Sequence, residues 1–382
     1  MYKFEDLIEE VKEFNTDLRY ELDDIVGVTI EKGLIPTIAN LTQTALDKFY
    51  IIKPETFVYN PRTHGVRLGM GYNDTCNTYI TTWNNVAFRV KDTAKNIVIP
   101  QYLWLYFCRP VWDRLTNFLA WGSSTIVFAW KDFLTIEIDL PSITRQREIV
   151  TEYETLTRRI RINEQMIQNL ESTAQTLYRK MFVDGIDKEN LPEGWRMGAL
   201  REFGNIITGK TPSSDNPEDF GCKMPFVTPG DFTKYKKFAI DAERMLSDIG
   251  IKRLKNKVLP KSSVIVTCIG SDMGKVAIAT ENCITNQQMN SIIVNCEEYS
   301  DYLFYTLSSM AKELKAMALG SSTMPLLNKS DFEQITIIMP PFELLKEFYK
   351  LTYAGNNMVI LKIKENKKLA ELQSLLLAKM GQ

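Results

Sequence analysis

The sequence predicts an α+β protein in which two globular domains of short strands are joined and separated by two long helices. Three observations support this fold class. Sequence markers from the first half of the chain recur in order in the second half. Helical periodicity follows each set of markers, and the remaining segments show short strand-like runs bounded by turn residues. The chain of 382 residues is long enough for two or three domains.

The internal repeat consists of four markers in the same order. The tetrapeptide Gly-Ser-Ser-Thr begins at Gly122 and again at Gly320, an offset of 198 residues. An Asp-Phe pair, a proline and a Lys-Met pair then recur at an offset of 199 residues, as from Asp132 to Asp331. Two large copies predict a pseudo-twofold molecule rather than a solenoid. Such a molecule suits a bipartite target, because paired half-sites mirror paired binding surfaces.

Residues 1–140 are predicted to form the first globular domain, with strands near 57–61 and 85–90, and residues 141–184 the central long helix. In this helix, apolar residues recur at alternating spacings of four and three, the pattern of a coiled-coil seam. A helix of ~40 residues is about 60 Å long and needs a partner helix to bury such a stripe. Its predicted packing residues are Ile149, Tyr153, Leu156, Ile160, Asn163, Ile167, Leu170 and Leu177.

Residues 185–338 are predicted to form the second globular domain, with strands near 264–269 and 291–294, and residues 339–382 the C-terminal long helix. The polar Asn163 has two interpretations: it fixes the register of the helix pair at some cost in stability, or it faces solvent on an imperfect stripe. In the C-terminal helix, residues 354–357 contain a glycine and are a candidate kink or break. The apolar residues of its less regular seam are Leu345, Phe348, Leu351, Val359, Leu369, Leu376 and Met380.

Composition is that of an ordinary globular protein, with 45% hydrophobic and 24% charged residues and a net charge of −1. No run approaches the ~18 apolar residues of a membrane helix. The N-terminal residues lack the basic-then-apolar plan of a signal peptide, so we expect a cytoplasmic protein without a membrane partner. Six cysteines without CxxC spacing and a single histidine, His64, predict neither a metal site nor a disulfide framework, and we expect no cofactor.

Two motifs resemble those of enzymes, but the residues in and around them argue against a catalytic role. Residues 204–211 satisfy the phosphate-loop pattern GxxxxGK[ST], but Pro212 and Pro217 follow among turn residues, where that loop needs a helix. Residues 339–342 (Met-Pro-Pro-Phe) approach the [ND]-P-P-[YF] tetrapeptide of methyltransferases but lack the Asn or Asp that would hold the target amine. We therefore predict no catalytic residues.

Basic residues are the remaining candidates for a binding function. Because the whole chain carries no excess positive charge, any attraction to nucleic acid must come from local clusters. Such clusters are more often solvated faces than binding sites. The candidate DNA-contacting residues are Arg62, Arg67, Lys210, Lys234, Lys236, Lys237, Arg253, Lys255 and Lys275.

Taken together, these features resemble the specificity subunit of type I restriction-modification systems, over essentially the whole chain. The first half lacks the loop at 208–213 and looks like another subgroup of the same domain type. Besides the helical regions, the motifs that carry the resemblance are residues 31–36 (Glu-Lys-Gly-Leu-Ile-Pro), 53–61, 191–195 (Leu-Pro-Glu-Gly-Trp), 208–213 (Thr-Gly-Lys-Thr-Pro-Ser), 225–231 (Pro-Phe-Val-Thr-Pro-Gly-Asp) and 285–288 (Thr-Asn-Gln-Gln).

The resemblance implies two target recognition domains, each of which reads a few base pairs of a split site in double-stranded DNA. It implies that the two helices pack as an antiparallel coiled coil that spaces these domains. The subunit would have no chemistry of its own. Two methyltransferase subunits would dock around the helices and methylate adenine N6 with S-adenosylmethionine, and ATP-dependent translocase-nuclease subunits would join for cleavage.

Two other functions compete with this one. A nucleotide-hydrolysing enzyme would bind ATP at residues 204–211 and lose that binding in Lys210→Ala. A coiled-coil scaffold that binds proteins through its globular halves would assemble without binding DNA.

Overall fold

The computed structural model describes residues 1–37, 44–63, 67–121, 126–270, 273–318 and 326–380. The chain forms two compact units, one of Met1–Ile160 with Lys368–Gln382 and the other of Arg161–Lys367. We call them the first and the second unit. Each contains a globular part and one section of each long helix. The tetrapeptide repeat markers at 122–125 and 320–323 and His64 lie outside the described residues.

The described part of the first unit is built around a six-stranded sheet of order β2-β9-β6-β7-β3-β4. Two-stranded sheets β1-β10 and β5-β8 flank it. Its strands are β1 (Tyr2–Lys3), β2 (Ile8–Glu10), β3 (Val26–Thr29), β4 (Gly33–Pro36), β5 (Tyr50–Ile52), β6 (Phe57–Tyr59), β7 (Met70–Tyr72), β8 (Tyr79–Thr81), β9 (Val86–Val90) and β10 (Glu137–Ile138). The helices that begin in it are α1 (Phe4–Leu7), α2 (Pro100–Phe107), α3 (Pro110–Leu119), α4 (Trp130–Thr135) and α5 (Ile143–Phe182).

The second unit has a five-stranded sheet of order β12-β19-β16-β17-β14, a three-stranded sheet β15-β13-β18 and a two-stranded sheet β11-β20. Its strands are β11 (Arg196–Ala199), β12 (Gly204–Thr208), β13 (Phe220–Val227), β14 (Phe238–Ala239), β15 (Arg244–Leu246), β16 (Val264–Thr267), β17 (Val276–Ala279), β18 (Ile284–Thr285), β19 (Met289–Val294) and β20 (Thr336–Met339). The helices that begin in it are α6 (Asp248–Arg253), α7 (Glu298–Ser309), α8 (Ala311–Ala318), α9 (Lys329–Gln334) and α10 (Phe342–Lys379).

Both units follow one plan at their C-terminal ends, which confirms the internal repeat. In each, a pair of helices (α2 and α3, or α7 and α8) precedes a short helix, a strand and a long helix. The short helices α4 and α9 start 199 residues apart, at Trp130 and Lys329. The strand before each long helix pairs antiparallel with the first strand of its unit, as Tyr2 with Ile138 and Met197 with Ile338. The sheets differ between the units, so the repeat is one of plan and not of detail.

The predicted strands form because apolar, largely β-branched runs lie in buried positions. Every residue of β16 (Val-Ile-Val-Thr) is buried, because its side chains alternate between two core clusters, Val264 and Val266 in one and Ile265 in the other. The core of the first unit is aromatic instead, and Phe4 contacts Phe107, Trp112 and Phe133 at ring-centroid distances of 5.0–5.7 Å.

The two long helices pack antiparallel within each unit. In the second unit, Asn163 Nδ2 of α5 donates a hydrogen bond of 2.8 Å to Asn366 Oδ1 of α10. In the first unit, Gln373 Nε2 donates one of 2.7 Å to Thr157 Oγ1. Within the second unit the partner number falls as the α5 number rises, from Asn366 opposite Asn163 to Gly355 beside Leu170, so the helices run in opposite directions. Every packing residue predicted on α5 is buried or half-buried, and so are Leu369 and Leu376 on α10.

The structure decides three points about the helices that the sequence left open or predicted wrongly. Asn163 is 1% exposed, so it belongs to the seam and does not face solvent. The candidate break at 354–357 is wrong, because α10 is continuous there and Gly355 packs against Leu170. The assignment of Leu351 to the seam is also wrong: Leu351 is 54% exposed and Thr352 takes the inward position. Among the described residues, no helix has the length and apolar character needed to cross a bilayer.

Candidate nucleic-acid interface

Three loops of the second unit converge at one edge of its sheets. The loop after β12 is held by backbone hydrogen bonds from Gly209 N to Met289 O (3.2 Å) and from Lys210 N to Thr285 O (2.9 Å). The turn after β13 is linked to the same place, because Asn286 N donates to Val227 O at 3.2 Å. These loops carry the motifs at 208–213, 225–231 and 285–288. We call residues 209–215, 228–230 and 286–288 the loop cluster.

Glycine is required at two points of this arrangement. A Cβ at Gly209 would lie 2.2 Å from Asn286 O and 2.3 Å from Thr285 O, and one at Gly204 would lie 2.1 Å from Ile293 O. Both contacts are with backbone atoms, which cannot move aside cheaply. The two glycines of the phosphate-loop pattern therefore serve the close packing of β12 and its loop against neighbouring backbone.

The phosphate-loop interpretation of residues 204–211 is wrong. Gly204–Thr208 form strand β12, which pairs antiparallel with β19. No helix opens after Lys210 and Thr211; the next helical turn is a 3-10 turn that begins at Pro217. Without a helix N-terminus directed at the loop, the arrangement lacks the backbone donors that hold phosphates.

A buried aspartate shapes the second loop. Asp231 is 2% exposed, and its Oδ2 accepts hydrogen bonds from Thr228 N (2.7 Å) and Thr228 Oγ1 (2.8 Å). Its Oδ1 accepts a third from Glu243 N at 2.8 Å. Because both carboxylate oxygens are occupied by local donors, Asp231 is a structural residue, and it presents Pro229 and Gly230 at the surface.

The loop cluster exposes amide, hydroxyl and ammonium groups. Lys210 and Gln287 are exposed, and Thr211 Oγ1 donates to Gln287 Oε1. Asn286 Nδ2 donates to Gln288 Oε1 at 3.1 Å. Amide side chains can read base edges and lysine can contact guanine or phosphate, so these groups fit a DNA-reading surface. The amides at 286–288 were part of a motif in the sequence, but only the fold brings them beside Lys210.

The three lysines at 234–237 do not form one surface. Lys234 and Lys236 are exposed, and Lys236 Nζ lies 3.7 Å from Glu171 Oε2 on α5. Burial raises the pKa of Glu171, and Lys236 opposes that shift. Lys237 points inward: its side chain is 3% exposed and its Nζ lies 2.7 Å from Asp301 Oδ1. A buried ammonium paired with a carboxylate cannot contact a phosphate, so Lys237 leaves the candidate set.

The remaining candidate DNA-contacting residues of the second unit differ in exposure and in whether carboxylates offset their charges. Arg253 Nη1 lies 2.9 Å from Glu218 Oε1 and 2.7 Å from Asp219 Oδ1, so two carboxylates offset its charge. Lys255 is exposed on a 3-10 turn. Lys275 is half-buried, and its backbone N donates to Thr267 Oγ1 at 2.9 Å. Lys210, Lys234, Lys236 and Lys255 are therefore the better phosphate candidates.

Arg62 and Arg67 are both exposed on one loop of the first unit. Arg62 forms an isolated bridge with Val127, and its N donates to Asn60 Oδ1 at 3.0 Å. Sequence reasoning missed a buried pair in this unit: Lys32 Nζ lies 2.6 Å from Asp113 Oδ1 and donates to Leu68 O at 2.8 Å. Lys32 belongs to the motif at 31–36, whose lysine is thus structural.

Comparisons with known proteins agree with the fold and with the motifs. Residues 192–369 match a family model described as the type I restriction modification DNA specificity domain. The chain is 27% identical over 379 residues to the type I restriction enzyme HindI specificity subunit of Haemophilus influenzae, with 81% of each protein covered. It is 30% identical over 189 residues to the MjaIX specificity subunit of Methanocaldococcus jannaschii, which covers 49% of this chain and 43% of that protein.

A solved structure extends the likeness to the whole fold. The type I restriction-modification system S subunit from M. genitalium superposes with a TM-score of 0.67 at 16% identity, covering 100% of this chain and 95% of that one. At this identity the likeness concerns the fold alone. Residues 192–369 thus match the type I restriction modification DNA specificity domain, and the chain is similar over most of its length to a type I specificity subunit, the family that its sequence motifs resemble.

Proposed function

We propose that this chain is the DNA-recognition subunit of a type I restriction-modification complex and reads a split site. Residues 1–140 and 185–338 would each contact a few base pairs, and residues 141–184 and 339–382 would space them. The observation that carries the proposal is the loop cluster, where three family motifs present Lys210, Gln287 and the neighbouring amides at one sheet edge. Base edges are read by such groups, while lysines on phosphates set position.

The chain would recognise DNA without catalysing a reaction on it. Methylation of a base requires its removal from the helical stack into a pocket, which we assign to partner methyltransferase subunits. Two such subunits would act on adenine N6 with S-adenosylmethionine, and ATP-dependent translocase-nuclease subunits would cleave. This division of labour is supported by the similarity to type I specificity subunits and by motifs that serve packing, as Gly204 and Gly209 do.

An exchange of recognition domains tests the split-site proposal. Residues 1–140 would be replaced by the corresponding segment of a relative, and methylated sites would be mapped by single-molecule sequencing of host DNA. We expect one half of the recognised site to change and the other half to stay the same. A matched exchange of residues 185–338 should change the other half. An exchange that alters both halves, or neither, in an active complex would exclude independent reading by the two domains.

A further inference from the structure

A closed network of polar side chains joins α10 to the globular part of the second unit. It comprises Lys237 before β14, Asp301 on α7, and Thr352 and Asn356 on α10; we call it the polar clamp. Lys237 Nζ lies 2.7 Å from Asp301 Oδ1 and donates to Asn356 Oδ1 at 2.9 Å. Asn356 Nδ2 and Thr352 Oγ1 each donate to Asp301 Oδ2 at 2.6 Å. The three hydrogen bonds that Asp301 and Lys237 form with α10 thus involve two residues on one helix face, Thr352 and Asn356.

Three of the four clamp residues are buried, and Asn356 is half-buried. The side chains of Lys237 and Asp301 are 3% and 4% exposed, and Thr352 is 4% exposed. Burial lowers the pKa of Lys237, and Asp301 opposes that shift. The ammonium also lies 4.8 Å from the ring centroid of Tyr305 and 5.6 Å from that of Phe304, where the ring faces attract a cation.

Stability alone does not account for this network. Replacing a buried ion pair with well-packed apolar residues is often neutral or stabilising, whereas removing one partner is strongly destabilising. On both sides of the clamp the inward positions of α10 are apolar, with Phe348 at 0% and Val359 at 2% exposure. An apolar residue in place of Thr352 or Asn356 would continue that stripe.

Directional hydrogen bonds can fix the rotation and height of a helix, which an apolar stripe does not do. Thr352 and Asn356 are four residues apart, so they lie on one face of the helix, one turn above the other. Asp301 accepts from both only at one rotation and one height of α10. Sliding the helix by a turn would leave the buried ion pair without its three hydrogen bonds to α10. A polar residue in a helical seam is known to select register in this way at the expense of stability.

We propose that the polar clamp sets the rotation and register of α10 against the second recognition domain, and that it thereby determines how sharply the protein selects the spacer between half-sites. Lys237, Asp301, Thr352 and Asn356 are positioning residues in this sense and do not contact DNA. This inference rests on the proposed recognition of a split site.

Two variants test the clamp. The first replaces it with apolar residues of similar size: Lys237→Met, Asp301→Leu, Thr352→Val and Asn356→Leu. The second, Thr352→Val with Asn356→Leu, keeps the ion pair and removes only the link to α10. Each would be assembled with its methyltransferase partners and assayed for methylation of duplexes whose spacer changes by one base pair at a time. Thermal unfolding would be measured in parallel.

We expect both variants to fold, the first at least as stably as the wild type, and both to lose severalfold in discrimination between the preferred spacer and its neighbours. A control removes an exposed contact between the same helix and the same domain, Lys367 with Asp241, in which Nζ lies 3.1 Å from Oδ2. Exposed pairs contribute little, so Lys367→Ala with Asp241→Ala should leave discrimination unchanged.

Full discrimination in either folded variant would overturn the clamp proposal, and so would failure of both variants to fold, because the network would then serve stability. A wild-type complex that shows no preference for a split site would instead overturn the proposed function. The two failures are therefore distinguishable in one set of assays.

Discussion

Lys236 and Lys237 are neighbours in sequence, yet their ammonium groups have opposite surroundings. Lys236 is 67% exposed, whereas Lys237 is 3% exposed and paired with Asp301. Both residues lie in a bend just before β14, and only Lys237 is directed at the buried carboxylate of Asp301. A basic cluster in a sequence therefore contains candidates of different kinds, and exposure is the first criterion that separates them.

The exposed lysines should contribute phosphate contacts. We expect Lys236→Ala with Lys255→Ala to flatten the slope of log affinity against log salt by about one per lysine, with little change in the preferred sequence. The measurement is binding of specific and scrambled duplexes across a salt series with the methyltransferase subunits present. Lys95→Ala, in an exposed pair with Asp92, is a matched control that should leave the slope unchanged. An unchanged slope in the double variant would remove both lysines from the interface.

The cysteines should divide by burial. Burial raises the pKa of Cys268 to about 11 and that of Cys283 to about 12, whereas Cys76 and Cys222 are exposed. At pH 8 an alkylating reagent should label Cys76 and Cys222 in the folded protein, and Cys268 and Cys283 only after unfolding in guanidinium, as peptide mass spectrometry would show. The pKa of each buried thiol is higher in the folded protein than its unfolded value of about 8.5. These two thiols therefore contribute stability that is fully present below pH ~8.5. That contribution is lost as pH rises toward 11–12. Rapid labelling of Cys283 in the folded state would contradict the predicted protection of the buried cysteines.

At the scale of elements, α5 and α10 keep a coiled-coil pattern although a polar residue occupies an inward position. The inward positions of α5 keep the predicted spacing, and Asn163 occupies one of them. Its Nδ2 has a partner in Asn366, but its Oδ1 is buried without one. Such an incompletely satisfied pair lowers stability, so its presence is best explained by the register that it selects.

Replacement of the asparagine pair should therefore depend on whether one or both members change. We expect Asn163→Leu with Asn366→Leu to be neutral or to stabilise the protein by about 1 kcal/mol, and Asn163→Leu alone to destabilise it by about 1–3 kcal/mol, because the half-buried Asn366 then loses its donor. Urea unfolding of the three proteins measures the difference. A double variant less stable than the single one would show that the pair stabilises the helices instead of only aligning them.

At the scale of the whole molecule, the repeat of plan and the antiparallel helices suit a protein that measures a distance between two half-sites. Spacer selection would then follow helix length. The hydrogen bond from Asn163 to Asn366 identifies which positions lie at the same height along the helix pair, so Gln168, five residues beyond Asn163, is level with Leu361, five residues before Asn366.

Insertion of one heptad at Gln168 together with one at Leu361 should lengthen both helices while keeping their seams aligned. Each heptad adds about 10 Å at 1.5 Å per residue, so the preferred spacer should grow by roughly three base pairs at 3.4 Å per pair. Methylation of duplexes with graded spacers, in complexes with the partner subunits, measures the change. A heptad inserted at Gln168 alone is the control, because α10 would then be one heptad too short to pair with the lengthened α5. An active complex with an unchanged spacer would refute a ruler role for the helices.

The sequence by itself determined the repeat, the two long helices, the phase of α5 and the similarity to type I specificity subunits, because these depend on periodicity and on short motifs that local residues specify. It also placed the main strands, whose apolar runs are continuous along the chain. Residues such as Ile149 and Ile167 could be assigned to the seam because a helix has one regular period.

Only the tertiary structure decided which charged and polar residues face inward. Lys237 is buried because the fold brings it to Asp301 and to Asn356, a residue 119 positions further along the chain. Leu351 is exposed because Thr352 reaches that same carboxylate from α10. Gly209 is needed because residues 285–286 approach it from another strand. Each outcome depends on a contact between distant segments, and a distant contact leaves no period or spacing in the sequence from which it can be predicted.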